Sequence, residues 1–374
     1  MEMLFWIAFV TVLYTYVGYP LIIALWSRFH PAGDKASLDK DHMPELTVVI
    51  AAYNEADNLA RKVESINASD YPQEKIGIVV VSDGSTDGTE AVLKPFANVR
   101  LLSHGERRGK PAAINTAMAV VDTPLVVFTD ARQTLKADAI TQLVTALADE
   151  GIGAVSGELV QMKASSNEGA SVGLYWKYEK WIRKNESQVH SVPGVSGALY
   201  AIRAADFVPL AEDTILDDFE IPIRILQKGR MIKFQSGAIM YDRVEESSSK
   251  EKQRKVRTLL GNYQSFSRNL WLFNPMHNPI WFQFMSHKVL RLMVPYWMAI
   301  MVIAPLFLEG AVYTLFFIAE SGFYIAVAAA KAFPATKHNR YIGFCHVFWD
   351  MNISAVIALK RYLLDEVNIK WTRT

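Results

Sequence analysis

Apolar and polar positions divide the chain of 374 residues into three regions. Residues 4–26 carry no charge, and at about 1.5 Å per residue such a helix is long enough for the roughly 30 Å hydrocarbon core of a bilayer. We therefore predict an N-terminal membrane helix over residues 1–27. A cleaved signal peptide is the alternative, but it needs a basic start, and here Glu2 opens the chain.

Short apolar runs alternate with helix-like segments between residues 42 and 270. The runs with the buried pattern of strands are 46–51, 76–81, 99–102, 125–129, 154–162 and 195–202. Helical spacing is found over 54–69, 86–96, 110–120, 171–190 and 215–227. Strands that alternate with helices predict one α/β domain with a parallel sheet and right-handed crossovers.

The region from 276 to 374 is again apolar. We predict an amphipathic helix in the membrane interface over 281–288, followed by spans at 290–308, 311–330 and 341–359. The last span is the least regular because it contains Asp350. Ionisable groups inside the bilayer, such as Asp350 and Glu320, either line a polar path or hydrogen-bond to neighbouring helices.

Charges next to the spans predict the orientation. Arg28, Lys35 and Lys40 follow the first span, so the positive-inside rule places the α/β domain on the cytoplasmic side of the inner (plasma) membrane. Three further spans would then place the basic loop 331–340 inside and the cations 360–361 outside.

Overall composition excludes several classes of protein. The chain has 39 Lys and Arg against 38 Asp and Glu, so its formal charge of +1 gives no reason to expect a nucleic-acid partner. Its single cysteine, Cys345, excludes an intrachain disulfide and a cysteine-based metal site. No G-x-G-x-x-G follows the first strand and no G-x-x-x-x-G-K-S/T is present, which argues against a nicotinamide-binding fold and a P-loop enzyme.

Carboxylates follow three of the predicted strands: Glu55, Asp83 and Asp130. The carboxyl edge of a parallel sheet is where ligands bind in open α/β folds. A turn with a capping residue explains each acid alone, but three at one edge favour a ligand site. Lys110 begins a predicted helix, whose N-terminus suits a phosphate. A solvated run of charge with the arginines at 107 and 108 is the alternative.

Four motifs in this order and spacing resemble family 2 glycosyltransferases: 51–55 (AAYNE), 83–87 (DGSTD), 109–115 (GKPAAIN) and 129–131 (TDA). The resemblance covers roughly residues 46–268. It implies a GT-A fold, with a mixed, mainly parallel sheet that binds a nucleotide sugar. The flanking spans resemble the membrane-integral branch, which includes cellulose, chitin, hyaluronan and poly-N-acetylglucosamine synthases.

The resemblance also implies roles for the donor side. Tyr53 and Glu55 would line the nucleotide pocket, Asp83 would contact uracil or ribose, and Lys110 would lie near the diphosphate. Asp130 matches the first acid of the DxD motif, which holds a divalent cation, Mg²⁺ or Mn²⁺, against the diphosphate.

Arg132 stands where the second acid of that motif is expected. If its guanidinium faces the site, it meets the diphosphate directly, because arginine matches phosphate geometry. We therefore expect weaker dependence on added metal than a site with two acids would show.

On the acceptor side, the glycine-rich segment 194–200 and the acidic run 216–220 resemble two further family motifs. Gly197, Asp217 and Glu220 would contribute to the acceptor side, and Asp218 would be the catalytic base. An acidic first turn favoured by the helix dipole is the alternative explanation of the acids.

The family's QxxRW motif is incomplete. Starting at Gln253 puts Val256 where arginine belongs, whereas alignment on the following glycine matches Arg257 to the motif arginine, Thr258 to its tryptophan and Arg254 to its glutamine. Either way the tryptophan is missing, and the candidates to replace it are the tryptophans at 176, 181 and 271. A basic helix that meets anionic lipid is the alternative.

The resemblance implies inverting transfer of a sugar from a nucleotide donor, a UDP-sugar, to a glycan or lipid-linked acceptor in exopolysaccharide or cell-envelope polysaccharide synthesis. One alternative is a non-processive transferase that adds a sugar to a polyprenyl-linked acceptor. Another is a non-catalytic membrane subunit that only binds a nucleotide sugar. Association with membrane partner subunits or as a homo-oligomer stays open.

Overall fold

The structure, a computed structural model, describes residues 1–30, 43–162, 169–243 and 248–366. The cations predicted to orient the first span at 35 and 40, and the tail after 366, lie outside these ranges.

The strands are β1 Leu46–Ala52, β2 Ile76–Asp83, β3 Val99–His104, β4 Leu125–Thr129, β5 Thr134–Leu135, β6 Ile152–Met162, β7 Leu199–Arg203 and β8 Met231–Arg243. The longer helices are α1 Glu2–Ser27, α2 Ala56–Asn67, α3 Lys110–Met118, α4 Ala139–Leu147, α5 Gly169–Val189, α6 Asp217–Gln227, α7 Ser248–Arg268, α8 Trp281–Phe307, α9 Ala311–Ala332 and α10 Arg340–Leu363.

All described strands form one eight-stranded sheet in the order β3-β2-β1-β4-β7-β6-β8-β5. The pairs β1/β2, β1/β4, β2/β3 and β6/β8 are parallel, whereas β7 runs antiparallel to β4 and β6, and β5 runs antiparallel to β8. The prediction of a mixed, mainly parallel sheet is confirmed.

Strand β1 is buried at every position because helices cover both faces of the sheet. Val48 and Ile50 pack with α2 and α4, whereas Val49 and Ala51 pack with α3 and α6. Successive side chains of a strand point to opposite faces, so a run of apolar residues is needed for a sheet covered on both sides. This leaves the carboxyl edge of the sheet as the place for a ligand.

Four helices of the described residues are long and apolar enough to cross a membrane: α1, α8, α9 and α10. Helices α1 and α8 run antiparallel, since Phe5 packs with Met301 and Tyr14 Oη lies 2.8 Å from Ser286 Oγ. Residues 281–288 are continuous with α8, so their placement in the interface stays a prediction.

The C-terminal end of α10 lies against the α/β domain. Tyr362 Oη is 2.7 Å from Ser267 Oγ at the end of α7, and the rings of Tyr362 and Tyr263 are stacked. Lys360 and Arg361 therefore lie beside this domain, and the expectation that they fall on the opposite side is wrong.

Helix α9 begins far from the domain, where Tyr313 Oη donates to Glu2 Oε1 at 2.6 Å. Because α9 starts on one side and α10 ends on the other, together they cross a bilayer an odd number of times. Both therefore do not make a full crossing in this arrangement.

The predicted helix over 86–96 is wrong. Apart from a short 3₁₀ turn at Ala91–Leu93, this segment is a loop. Gly88 adopts a φ of 84°, and Asp87 accepts hydrogen bonds from Ala56 N at 3.1 Å and Thr89 N at 3.0 Å. The side chain of Asp87 thus competes with helix formation by binding backbone N–H groups.

The strand predicted over 195–202 begins only at Leu199. The four residues before it form a loop that approaches α6, where Val195 N donates to Asp218 O at 3.1 Å. This loop carries the predicted glycine Gly197 to the site.

Candidate active site

A cavity of about 830 Å³ opens at the carboxyl edge of the sheet. Its walls come from the loops after β1 and β4, from α5, α6 and α7, and from the candidate membrane helices α1, α8 and α10. The predicted site residues that line it are Glu55, Lys110, Asp130, Arg132, Gly197, Asp217, Asp218, Arg254 and Arg257. The cavity therefore connects the sheet edge with the apolar helices.

Lys110 bridges two carboxylates. Its Nζ lies 3.1 Å from Asp130 Oδ1 and 3.2 Å from Asp217 Oδ2. Burial opposes the charge of Lys110, but Asp130, Asp217 and Asp218 outweigh it and hold the pKa of Lys110 above its ordinary value. The ammonium is thus fully charged where the end of β4 meets the start of α6.

Asp218 lies in the first turn of α6, directly beside a glycine. Gly197 N donates to Asp218 Oδ2 at 3.2 Å, and a Cβ on Gly197 would come within 2.8 Å of that oxygen. Burial and the charge of Asp217 raise the pKa of Asp218 to about 6, although Lys110 and Lys288 act in the opposite direction. Such a carboxylate is ionised at neutral pH and accepts a proton more readily than an ordinary aspartate.

Arg132 lines the cavity and forms an ion pair with Asp242. Arg132 Nη2 lies 2.6 Å from Asp242 Oδ2, and Asp242 is buried. Sequence reasoning missed Asp242 because no strand was predicted over β8. The position of the second DxD acid therefore holds a cation whose charge an acid from a neighbouring strand offsets.

The alignment that assigns Arg257 to the motif arginine fits the structure. Val256, the choice of the literal alignment, is buried among apolar side chains. Burial lowers the pKa of Arg257, whereas the charges of Asp217, Asp218 and Asp130 act in the opposite direction. Arg257 therefore faces the acidic cluster from α7.

Of the tryptophans that were candidates for acceptor stacking, Trp176 lines the cavity and is 42% exposed. Trp271 packs instead against two apolar cores, and Trp181 is not among the lining residues. Thr258, at the position of the motif tryptophan, also lines the cavity.

Asp83 does not line the cavity. Its Oδ1 accepts from Arg108 N at 2.9 Å and lies 2.9 Å from His104 Nδ1, and its Oδ2 accepts from Gly109 N at 2.7 Å. These bonds hold the loop before α3 and so position Lys110. The contact of Asp83 with a base or ribose stays a prediction.

Tyr53 also lies outside the cavity wall, with the Arg107 guanidinium 3.9 Å above its ring centroid. Glu55, in contrast, lines the cavity, and Asn58 Nδ2 donates to its Oε2 at 2.7 Å. Only Glu55 of this motif therefore faces the cavity.

Glu220 is held away from the cavity by structural partners. Its Oε1 pairs with Arg224 at 2.9 Å, and its Oε2 accepts from Asn269 Nδ2 at 3.0 Å. Because both oxygens are engaged and Glu220 is not a lining residue, its acceptor-side assignment gains no support from the geometry.

Lys62 is a buried cation that sequence reasoning took for part of an ordinary helix. Its side chain is fully buried behind the end of β4, and its Nζ donates to Thr129 Oγ1 at 2.9 Å. Burial lowers the pKa of Lys62 to about 7, although Asp130 and Asp242 act in the opposite direction. A helix pattern gives no signal for such a residue.

We predict that Lys62→Met raises the midpoint of thermal unfolding by at least ~5 °C near pH 6. The folded pKa lies below the unfolded value of 10.5, so the penalty is complete below about pH 7 and disappears as pH approaches 10.5. The advantage of Lys62→Met should therefore shrink over that range. Exposed Lys94→Met is the control, and an advantage that does not depend on pH would contradict the explanation.

The donor set for a metal is small. Within the described ranges, no group of three or more His, Cys, Asp or Glu side chains is placed to hold an ion. Asp130 lines the cavity and is 28% exposed, and Mg²⁺ is commonly bound through one or two carboxylates together with substrate phosphates. Asp130 therefore fits as a single protein ligand to a cation that the donor diphosphate also binds.

The sheet and its acidic, lysine-containing cleft define the class of the domain, which is a GT-A nucleotide-sugar-binding fold. Residues 47–207 match the sequence model of the family described as "Glycosyl transferase family 2". The chain therefore carries a domain of glycosyl transferase family 2.

Curated relatives share this part of the chain. The chain is 26% identical to an N-acetylglucosaminyltransferase of Azorhizobium caulinodans over 62% of its own length and 64% of the relative. It is 23% identical to the poly-beta-1,6-N-acetyl-D-glucosamine synthase of Staphylococcus aureus over 63% of its own length and 59% of the relative. Glycosyltransferase AglE of Haloferax volcanii is 27% identical over 31% of this chain and 40% of the relative. The chain thus spans less than two thirds of each of these relatives.

A solved structure matches the whole fold, including the apolar helices. It is the mannosyltransferase PcManGT from Pyrobaculum calidifontis in complex with GDP-Man and Mn²⁺, with a TM-score of 0.74 and 22% identity. The match covers 97% of this chain and 99% of that chain. At this identity the match establishes the common fold.

Proposed function

We propose that the protein is a membrane-embedded, inverting glycosyltransferase that moves a sugar from a nucleotide diphosphate donor to an acceptor delivered at the membrane. The observation that carries the proposal is the position of Asp218. It is a carboxylate with a pKa of about 6 in the wall of a cavity that reaches from the sheet edge to the apolar helices.

Inversion needs one in-line displacement. Asp218 takes the proton of the acceptor hydroxyl as that oxygen bonds to the anomeric carbon of the donor sugar. The bond from the anomeric carbon to the diphosphate oxygen breaks, and the nucleoside diphosphate leaves with the electron pair. Gly197 N holds Asp218 Oδ2 during this step, and Gly197 has no side chain to block the acid.

The leaving diphosphate gains negative charge, and cations along the cavity offset it. Lys110 supplies one fixed charge, and Arg132, Arg254 and Arg257 also line the cavity. A divalent cation on Asp130 would add Lewis-acid stabilisation of the same leaving group.

For metal dependence, we expect removal of divalent ions with EDTA to reduce transfer and to leave measurable activity, because one acid is present where two are usual. Arg132→Asp, which restores the second acid next to Asp242, should show much stronger dependence on Mn²⁺ or Mg²⁺. The measurement is initial rate against metal concentration for both proteins. Complete loss in EDTA for the wild type, restored only by metal, would contradict this expectation.

Donor and acceptor are part of the proposal. We propose a UDP-sugar as donor, in line with the relatives named for N-acetylglucosamine, and polysaccharide assembly at the inner membrane as the process. A donor screen must include guanosine donors, because the solved structure with the same fold holds GDP-Man. The α/β domain faces the cytoplasm, where nucleotide sugars are made.

The test is incubation of the purified protein and membrane lipid extract with a panel of labelled nucleotide sugars. We expect label in a lipid-extractable product that is one or a few sugars long. A ladder of long chains would instead support a processive synthase. No transfer from any donor would support the non-catalytic subunit.

A further inference from the structure

The end of the cavity next to the membrane holds charges that the proposed transfer does not use. They come from α5 and from the first turns of α8: Glu179, Arg183, Glu186, His287, Lys288 and Arg291. Four of them form a closed set of ion pairs, and two do not.

His287 is held between two carboxylates. His287 Nδ1 lies 2.7 Å from Glu186 Oε1, and His287 Nε2 lies 3.1 Å from Glu179 Oε2. Arg291 pairs with the other oxygen of Glu179, and Tyr19 donates to Glu186. An imidazole that donates from both nitrogens is protonated, so two cations and two anions balance one another.

Lys288 is left outside this balance. In the part of the chain that the structure describes, it has no ion pair with a carboxylate, and its Nζ lies 5.7 Å from the centroid of the Phe219 ring. Its side chain lines the cavity. A Cβ on Gly194 would come within 4.0 Å of its Nζ, so the ammonium lies against the loop that carries Gly197.

A second cation stands behind Lys288. Arg183 donates to Ser156 Oγ at 2.8 Å and to Gly194 O, and the described residues provide no ion-pair partner for it either. The two charges repel each other, and among the acids that attract Lys288 is Asp218. Bringing a poorly solvated ammonium next to another cation is unfavourable unless an anion binds there.

The anion is distinct from the donor diphosphate. Lys110, Arg132 and Arg257 already serve the donor end of the cavity, whereas Lys288 contacts Phe219 and the Gly194 loop on the membrane side of Asp218. The neighbouring wall is apolar and comes from candidate membrane helices, with Leu292 on α8 and Met351 and Ala355 on α10.

We infer that Lys288, supported by Arg183, binds the phosphate group of an isoprenoid-type lipid phosphate or diphosphate that carries the acceptor, with the lipid chain leaving between α8 and α10. This inference rests on the proposed function and names the acceptor class of the same cavity. The phosphate chemistry is shared with phospholipid headgroups and free phosphate, so the test must separate these sources.

The test measures binding to the purified full-length protein in detergent, through the shift of its thermal unfolding midpoint during titration. The probes are geranylgeranyl phosphate, geranylgeraniol, inorganic phosphate and phosphatidylglycerol. We expect the wild type to bind the prenyl phosphate at least tenfold more tightly than the alcohol, and more tightly than the other two probes. Lys288→Met should reduce the preference over the alcohol below threefold, and Lys288→Arg should keep it. Lys177→Met, an exposed cation on α5, is the matched control.

Equal binding of prenyl phosphate and alcohol by the wild type, or an unchanged preference in Lys288→Met, would overturn the inference. Equally tight binding of phosphatidylglycerol or of inorganic phosphate would also overturn it, because the site would then take a headgroup or a free anion. Donor turnover on the same preparations separates the two claims. Sugar transfer without a phosphate preference refutes the lipid phosphate site alone. Phosphate-selective binding without donor turnover refutes the glycosyltransferase alone.

Discussion

Asp218→Asn lowers the rate of sugar transfer by about a thousandfold and leaves the protein folded. The amide keeps the size of the side chain and still accepts a hydrogen bond from Gly197 N, so the loop and α6 should not move. It cannot take the acceptor proton. Since a partly buried carboxylate is removed, the midpoint of thermal unfolding should stay the same or rise.

The pH dependence of the wild type provides an independent measure of the same group. The active form is the ionised one, so the rate should rise with pH through an apparent pKa of about 6 and level off near neutrality. Asp217 is coupled to Asp218, so the acidic limb reports the pair. Asp213→Asn, an exposed acid that pairs with Arg268, is the matched control and should retain wild-type activity. Transfer by Asp218→Asn at more than a tenth of the wild-type rate would rule out the base.

Lys110→Met has the second largest expected effect, a loss of about a hundredfold in kcat/KM. The substitution removes the ammonium that lies between Asp130 and Asp217, so three acids face the donor diphosphate without this counterion. Both the bound donor and the departing diphosphate are then less stable.

The same substitution makes a directional prediction for pH. Lys110 lowers the pKa of Asp218, so its loss should shift the acidic limb of the rate profile to higher pH. Lys136→Met removes a partly exposed lysine that pairs with Asp138, and it should leave both the rate and the limb in place. A Lys110→Met enzyme with a reduced rate but an unshifted limb would show that Lys110 does not act on the base.

The central part of the fold could be predicted because its local patterns agree with its tertiary role. Strands β1, β2 and β4 are continuous apolar runs, and each ends at or just before an acid or a turn, as a sheet covered on both faces requires. The segment 86–96 misled because its spacing is helical, while Asp87 and Gly88 impose a loop through contacts to the end of β1. Only the tertiary contact distinguishes the two.

The site was predictable where a motif carries both residue and neighbour, as with Asp218 on α6 and Gly197 on the loop beside it. It was not predictable where distant segments meet. Asp242 reaches Arg132 from a strand that has no local signal, and Lys288 reaches the cavity from a segment predicted to lie in the interface. The acid Asp83 shows the converse, since a motif residue at a strand end holds a loop rather than lining the cavity.

The membrane arrangement shows a limit of reading spans one at a time. Length and apolar composition identify α9 and α10 as candidates equally well. The contacts of Tyr313 with Glu2 and of Tyr362 with Ser267 place the two ends of this pair on opposite sides. Parity of crossings therefore depends on contacts that hydropathy does not contain.

The most direct test of the account is the configuration of the product. The purified protein is incubated with its α-linked nucleotide sugar and a membrane acceptor, and the new glycosidic bond is assigned by proton NMR. A single displacement with Asp218 as base predicts a β-linked product. An α-linked product would contradict it, because retention requires either two displacements or a step on the same face of the sugar.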